Sequence, residues 1–336
     1  MRIVFMGTPD FSVPVLEALI GSHHQVVGVV TQPDKPKGRG KAIQMSPVKE
    51  TALRHGLSIY QPVRARDAAF IEEMRRLKPE VMVVIAFGQI LSKEFLEVPV
   101  HGCINIHASL LPKYRGSAPI QWAVINGERE SGITTMMMDE GIDTGDMLEK
   151  RAIVLDEKET GGSLFDRLSL LGGELILSTL EKLEAGTLPR TPQNHQEATY
   201  VKKIPKSLGE IDWSMDATAI ERLIRGLNPW PSAYTWLNGK MLKLWAADVL
   251  PEGGKENRIS GKTSEEVKEY SAGDKRQKNV GVIVAALPAG LQIQTGNGIL
   301  NITSLQLEGK KRMDTGAFLR GFPVQVGMRF GNRSDI

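Results

Sequence analysis

Asn105 and His107 stand two residues apart in the stretch Cys103-Ile-Asn-Ile-His-Ala-Ser-Leu-Leu-Pro-Lys-Tyr-Arg-Gly116. An apolar run that turns polar and is stopped by Pro112 and Gly116 reads as a buried strand ending in a loop. On a strand, a spacing of two puts both side chains on the same face. That face carries an amide and a ring whose ordinary pKa lies near neutrality. A second polar stretch, Met138-Asp-Glu-Gly-Ile-Asp-Thr-Gly-Asp146, offers Asp143 from a glycine-rich loop. Amide, imidazole and carboxylate together suit acyl chemistry. The amide and a protonated imidazole stabilise the negative oxygen of a tetrahedral intermediate. The carboxylate orients the ring and can relay a proton, directly or through a water.

Taken singly, each residue has a plainer role. A lone histidine on a strand is commonly structural, an asparagine at a strand end satisfies backbone groups, and an aspartate in a glycine-rich turn bonds locally. Asp139, Asp143 and Asp146 do not have the spacing of a calcium loop, so no metal is expected. Ser109 and His107 are too close on one strand to form a triad, and no nucleophile elbow is present. Cys103 reads as buried filler, and so do Met136, Met137 and Met138.

A rigid sheet must hold these groups, and residues 1–188 read as an α/β domain with a doubly wound, mostly parallel sheet. Residues 2–7 are an apolar strand closed by Gly7; Ser12 caps a helix over 13–20; residues 25–31 are the second strand. The first turn lacks Gly-x-Gly-x-x-Gly, which disfavours a nicotinamide or flavin cofactor. Helices follow at 48–55, 67–77, 92–96 and 118–126, the last capped by Ser117 and stopped at Asn126-Gly127. Strands are read at 57–61, 80–87, 102–108 (the central strand), 132–139 and 148–155, the last at an antiparallel edge. From Thr160 a long helix carries a stripe of Leu164, Leu168, Leu171, Leu175, Leu180 and Leu183.

Residues 189–206, with Pro189, Pro192 and Pro205, have no periodicity and read as a linker. Residues 207–331 give a helix at 215–226. Short strands then follow at 233–237, 240–249, 280–286, 290–294 and 299–307, a pattern for a small OB-like β-barrel. Residues 251–279 read as a disordered surface insertion. Between Gln32 and Pro47 lies a long loop rich in proline, glycine and base, a length at which function or disorder is the usual cause.

The chain has 336 residues, enough for two cores, with 41% hydrophobic and 24% charged residues, ordinary for a globular protein. No apolar run reaches the roughly 18 residues of a membrane helix, and no signal-peptide pattern is present. One cysteine cannot form an internal disulfide, which fits a cytoplasmic setting. The formal net charge is only +3, too small to announce nucleic acid alone. It lies wholly in residues 207–336, with 17 basic and 14 acidic residues.

Asn105-Ile-His-Ala-Ser-Leu-Leu-Pro-Lys-Tyr-Arg-Gly116, followed by Asp139-Glu-Gly-Ile-Asp-Thr-Gly-Asp146, resembles the signature of the folate-dependent formyltransferases. The opening Met6-Gly-Thr-Pro-Asp-Phe11 and the loop Gln32-Pro-Asp-Lys-Pro-Lys-Gly-Arg-Gly-Lys41 resemble the tRNA-acting branch of that family. The likeness runs from residue 1 to about 331. It implies Asn105, His107 and Asp143 as the catalytic trio and 10-formyltetrahydrofolate as formyl donor. Ser109, Leu110, Leu111 and Pro112 are implied to line the folate pocket, and the segment with Ile85, Phe87, Gly88 and Gln89 to border the pterin. The implied acceptor is the α-amino group of methionine on initiator methionyl-tRNA. Lys35, Lys37, Arg39 and Lys41 would then meet the acceptor stem. Lys310, Lys311 and Arg312 would form a basic cluster on the barrel, with Lys206, Lys202 and Lys203 continuing it. Each of these lysines taken alone also fits ordinary surface solvation. A monomer with no membrane partner is expected. Hydrolysis of the formylfolate, formylation of a small amine, and RNA binding on an inactive scaffold remain the alternatives.

Overall fold

The computed structural model describes residues 1–37, 42–251 and 279–331. In chain order the first unit contains β1 (Arg2–Gly7), α1 (Val13–Ile20), β2 (Gln25–Val30), β3 (Lys35–Lys37), β4 (Ala42–Gln44), α2 (Pro47–Arg54) and β5 (Ile59–Tyr60). It continues through α3 (Ala68–Arg76), β6 (Val81–Ile85), α4 (Lys93–Leu96), β7 (Cys103–His107), β8 (Arg115–Gly116) and α5 (Pro119–Ile125). Then come β9 (Glu130–Met137), β10 (Met147–Val154), α6 (Gly161–Glu184) and β11 (Tyr200–Val201).

Seven strands form one sheet in the order β10-β9-β7-β6-β1-β2-β5. The five from β7 to β5 are parallel. β9 runs against β7, and β10 against β9. The antiparallel break therefore comes one strand earlier than the sequence implies. The strand bearing Asn105 and His107 is third of seven, and β6 takes the centre. Every residue of β6 is buried, as helices on both faces of a parallel sheet require. On α6, Leu164, Leu168, Leu175 and Leu180 are buried, each contributing about 2 kcal/mol of burial relative to exposure.

Three local expectations change. Ser12 does not cap α1: its hydroxyl donates to the Ile85 carbonyl at 3.0 Å, tying the start of α1 to the end of β6. α5 starts at Pro119, so Ser117 is not at its cap position. The stretch from Gln32 to Pro47 is not structureless, because Lys35, Pro36 and Lys37 pair with Gln44, Ile43 and Ala42 in a hairpin. Its tip, residues 38–41, lies outside the described residues.

Residues 189–203 are tied to the first unit rather than loose. Thr191 bridges Met147, and β11 pairs with β8. Contacts divide the chain into Met1–Ala123, Glu128–Glu157 and Ser163–Lys203 in one unit, with Val124–Gly127, Lys158–Gly162 and the chain from Ile204 onward in the other. The second unit holds α7 (Ala217–Gly226), β12 (Ala233–Leu237), β13 (Lys240–Leu250), β14 (Ile283–Leu287) and β15 (Gly290–Gln294). It ends with β16 (Ile299–Leu307), β17 (Met313–Asp314) and α8 (Thr315–Gly321). The strands are antiparallel in the order β12-β13-β16-β15-β14, with β17 on β16. Gly331 bridges Trp236 on β12 and Arg329 bridges Val282 beside β14, so the chain end links the two edges into a barrel. Ile220, Leu242, Leu244, Ile293, Ile302 and Phe330 are among its core. α8 was not legible: seven residues with two glycines carry no periodic stripe, and the Asp314 side chain caps it by accepting from the Ala317 amide. The insertion read at 251–279 falls almost wholly outside the described residues. No helix among the described residues is long and apolar enough to cross a membrane.

Acid stability follows from several side chains of these units. Bonds from His23 and the α-amino group hold Glu184 down to about 2. Bonds from Lys49 and Gln61 lower Asp34, and those from Asn297 and Thr218 lower Asp216. Burial opposes ionisation of Glu149, but Lys182, Thr179 and Ser178 outweigh it and lower its pKa. Burial, then His23 and the α-amino group, lower His24. At all five the unfolded chain binds protons that the native state refuses, so stability rises with pH. Thermal melts should show Tm falling as pH drops below the ordinary histidine value of 6.5, and more steeply from 4.5 towards 2. A flat profile from pH 7 to 3 would contradict these environments.

Candidate active site

β7 delivers Asn105 and His107 to one face, with Asn105 opposite Val84 and Met136 and His107 opposite Thr134. His107 is 7% exposed. Its Nε2 lies 2.9 Å from the Tyr114 carbonyl, which can only accept, so Nε2 carries a hydrogen. Nδ1 faces Asp143 Oδ2 at 3.6 Å. The same oxygen accepts the Gly116 amide at 2.8 Å. Both ring nitrogens therefore face oxygen atoms. Asn105 is half-buried, and among the described residues nothing pairs with its side-chain amide. Asp143 Oδ1 is likewise unpaired there.

The sequence expects both Asn105 and His107 to reach a developing oxyanion. In this structure Nε2 bonds the Tyr114 carbonyl and Nδ1 faces Asp143 across 3.6 Å, beyond hydrogen-bond reach, while the Asn105 amide has no partner among the described residues. Cys103, on the same strand, is buried, and burial pushes its thiol up to about 12, so it is a neutral core side chain rather than a nucleophile.

The loop carrying Asp143 is held from several sides. Asp143 has φ +54°, a left-handed conformation that an aspartate adopts at a cost of about 1–3 kcal/mol. Both Asp139 oxygens accept the Thr144 hydroxyl, at 2.7 and 2.9 Å. A Cβ on Gly145 would lie 1.7 Å from the Met137 carbonyl, so only glycine fits there. Buried Gln193 donates to the carbonyls of Asp143 (2.9 Å) and Gly145 (2.7 Å). Its oxygen accepts Arg115 Nε at 3.0 Å and Nη2 at 2.7 Å. Arg115 is fully buried and its Nη1 reaches the Tyr200 hydroxyl and His195 Nδ1. Among the described residues no carboxylate pairs with this guanidinium. Neither Gln193 nor Arg115 was assigned from sequence; Arg115 sits inside the quoted motif, whereas Gln193 lies in an aperiodic stretch that offered no signal.

Gly116 has φ +99°, and a Cβ there would lie 2.4 Å from the Val201 carbonyl. Gly116→Ala should therefore separate β8 from β11 and draw its amide off Asp143. The expected outcome is a fall in kcat together with a loss of about 1–3 kcal/mol of stability, read by kinetics and denaturant melts. Wild-type values for both would show that this amide does not set the carboxylate.

The remaining sequence-selected residues separate by environment. Ser109 is buried and donates to the Lys113 carbonyl at 2.7 Å, so its hydroxyl shapes its own turn. Leu111 packs with Met136 and Met147, whereas Leu110 and Pro112 are half-buried. Ile85 and Phe87 are buried, and their carbonyls are taken by Ser12 and by Thr8 with Gln32. The exposed backbone of that segment is at Ala86 (φ +45°) and Gly88 (φ +83°). Gln89 is half-buried and bonds Ala65 and Pro62. Lys35 is exposed on β3, Lys37 lies on the same strand, and Arg39 and Lys41 fall outside the described residues. Lys206, Lys310, Lys311 and Arg312 are exposed. Arg312 is the ordered one of these, bonded to Ser304 and stacked over Trp245 at 5.3 Å. A cavity of about 670 Å³ opens at the start of β7, lined by Lys93, Glu97, His101, Cys103, Asp139 and Arg190 among others; Asn105, His107 and Asp143 do not line it.

A loop carboxylate facing an imidazole that shares its strand face with an open amide, on a doubly wound sheet followed by a barrel, defines a class. A profile described as Formyl transferase matches residues 1–180, and one described as Formyl transferase, C-terminal domain, matches residues 203–323. The chain belongs to the formyl transferase family. Among its relatives, the methionyl-tRNA formyltransferase of Agathobacter rectalis is 54% identical over 330 residues, 98% of this chain and 99% of the relative. That of Clostridioides difficile is 48% identical over 331 residues, 98% of this chain and 100% of the relative. The fold is shared with a solved N-formyltransferase from Helicobacter canadensis, in complex with folinic acid and dTDP-3-aminofucose. Its TM-score is 0.61 at 19% identity, covering 90% of this chain and 99% of that one.

Proposed function

We propose that the chain transfers the formyl group of 10-formyltetrahydrofolate to the α-amino group of methionine on initiator methionyl-tRNA, acting as a monomer in the cytoplasm. The observation that carries this reading is end-to-end identity of 54% and 48% with methionyl-tRNA formyltransferases. The site supports the chemistry. The amine, about half unprotonated near its ordinary pKa, attacks the formyl carbon. A new C–N bond forms, and the carbonyl oxygen becomes negative. The Asn105 amide donates to that oxygen, a preorganised bond contributing about 3 kcal/mol in such sites. Asp143, with His107 behind it, takes the proton the amine loses. As the bond to folate N10 breaks, the proton passes to that nitrogen.

Leu110, Pro112 and the exposed backbone at Ala86 and Gly88 line the donor site in this reading, with Ser109, Leu111, Ile85, Phe87 and Gln89 holding them in place. Lys35, Lys37, Arg39 and Lys41 grip the acceptor stem, and Lys206, Lys310, Lys311 and Arg312 the RNA backbone. Arg39→Ala should lower tRNA-dependent kcat/KM by about tenfold or more while folate binding is unchanged.

The test is transfer from 10-formyltetrahydrofolate to radiolabelled methionyl initiator tRNA, with methionyl elongator tRNA as control and formate release measured in parallel. Rapid formylation of the initiator alone is the expected result. Formate release without an acceptor would replace the reading with hydrolysis. No product on either tRNA, with formylation of a small amine, would move the acceptor to that class.

A further inference from the structure

His23 and His24 follow α1 at the turn into β2, and Glu184 is the last residue of α6. His23 Nε2 lies 3.0 Å from one Glu184 oxygen, and His24 Nδ1 lies 3.4 Å from the other. The Met1 nitrogen shares the cluster, 3.0 Å from Glu184 and 3.2 Å from His24 Nδ1. One ligand atom from each of the three side chains falls within 4.8 Å of the others. A tetrahedral zinc ion with ligands at about 2.0–2.2 Å sets neighbouring donors about 3.3–3.5 Å apart. The two His–Glu separations fall at or just inside that spacing.

The protonation states fit as well. The His24 side chain is 1% exposed, and its Nδ1 faces an ammonium that can only donate, so the lone pair already points into the cluster. Glu184 adds a carboxylate to the two imidazoles. None of these residues takes part in the site around His107.

We propose that His23, His24 and Glu184 form a binding site for a divalent transition-metal ion of the zinc type. Two imidazoles and one carboxylate favour such an ion over calcium or magnesium, which take all-oxygen shells. The incoming ion displaces the α-ammonium from Glu184 and leaves a fourth position for water. Bound there, it clips the start of β2 to the end of α6 and stabilises the native chain.

Isothermal titration of the full-length protein, stripped with chelator, with zinc chloride at about pH 7.5 tests this. One site with a Kd in the micromolar range is expected, with no heat from magnesium or calcium. His23→Ala and Glu184→Gln should each weaken zinc binding by about tenfold or more. His23 has a 64% exposed side chain, so its removal leaves the core untouched. His55→Ala, at a separate His55–Glu17 pair 2.9 Å apart, should leave zinc binding unchanged. Zinc should raise Tm in the wild type and not in His23→Ala. No saturable binding below about 100 µM, or equal affinity in wild type and both variants, overturns the site.

Discussion

Asp143→Asn is expected to lower kcat by about 10³-fold while KM for both substrates stays near wild type. The asparagine oxygen can still accept the Gly116 amide that Asp143 now accepts at 2.8 Å, so the loop keeps its anchor. Lost are the charge facing His107 Nδ1 and, in the proposed mechanism, the base that takes the amine proton. Both act on the tetrahedral stage rather than on binding, which puts the effect in kcat. His107→Ala should cost a similar factor, because the ring's role runs through the same carboxylate. The double variant should then be about as slow as the worse single one, since groups acting as a unit are not additive. Steady-state kinetics of the three proteins, with melts to confirm folding, decide it. Asp143→Asn within tenfold of wild type, or two fully additive losses, would remove this carboxylate from the mechanism. Asn105→Ala stands apart: it should cost about 10²–10³-fold in kcat and add independently to either change.

Much of the first unit was legible because burial on both faces makes a strand an unbroken apolar run, as Val81–Ile85 is. The period-two spacing of Asn105 and His107 likewise needed no structure to place them on one face. The barrel strands 233–237, 290–294 and 299–307 fall where alternation and glycine turns put them. The orientation of β9 did not show, since a strand's direction is set by the length and path of its connections, not by its own residues. Neither did the tether of residues 189–203. Its bonds come from Gln193, Thr199 and short backbone bridges, and an aperiodic polar stretch looks the same whether or not those bonds exist. The engagement of both His107 nitrogens was hidden for a related reason: the Tyr114 carbonyl reaches Nε2 only because the chain after Pro112 folds back over the strand end.

Gln193→Leu strikes both contributions, tether and chemistry, at once. Leucine matches glutamine in volume but makes none of its four bonds. Arg115, fully buried and without a carboxylate partner among the described residues, would lose two of its acceptor contacts. A buried charged donor left short of acceptors costs about 2–4 kcal/mol, so the melt should shift clearly. The carbonyls of Asp143 and Gly145 are freed at the same time, and Asp143 is already in a strained left-handed conformation that its surroundings must enforce. Turnover should therefore fall by about 10–100-fold, mainly in kcat, as expected when a catalytic group drifts by a fraction of an ångström. Gln193→Glu distinguishes the two effects. Its carboxylate still accepts from Arg115 and adds an ion pair, which offsets the repulsion between its second oxygen and the two loop carbonyls, so stability should recover relative to Gln193→Leu. It has no N–H to give the loop carbonyls, so kcat should stay low. Gln193→Glu with wild-type kcat would mean that Gln193 serves Arg115 alone, and that Gly116 and Thr144 suffice to hold Asp143 in place. A low kcat at full stability would make Gln193 the positioning residue through which the 189–203 segment sets the carboxylate.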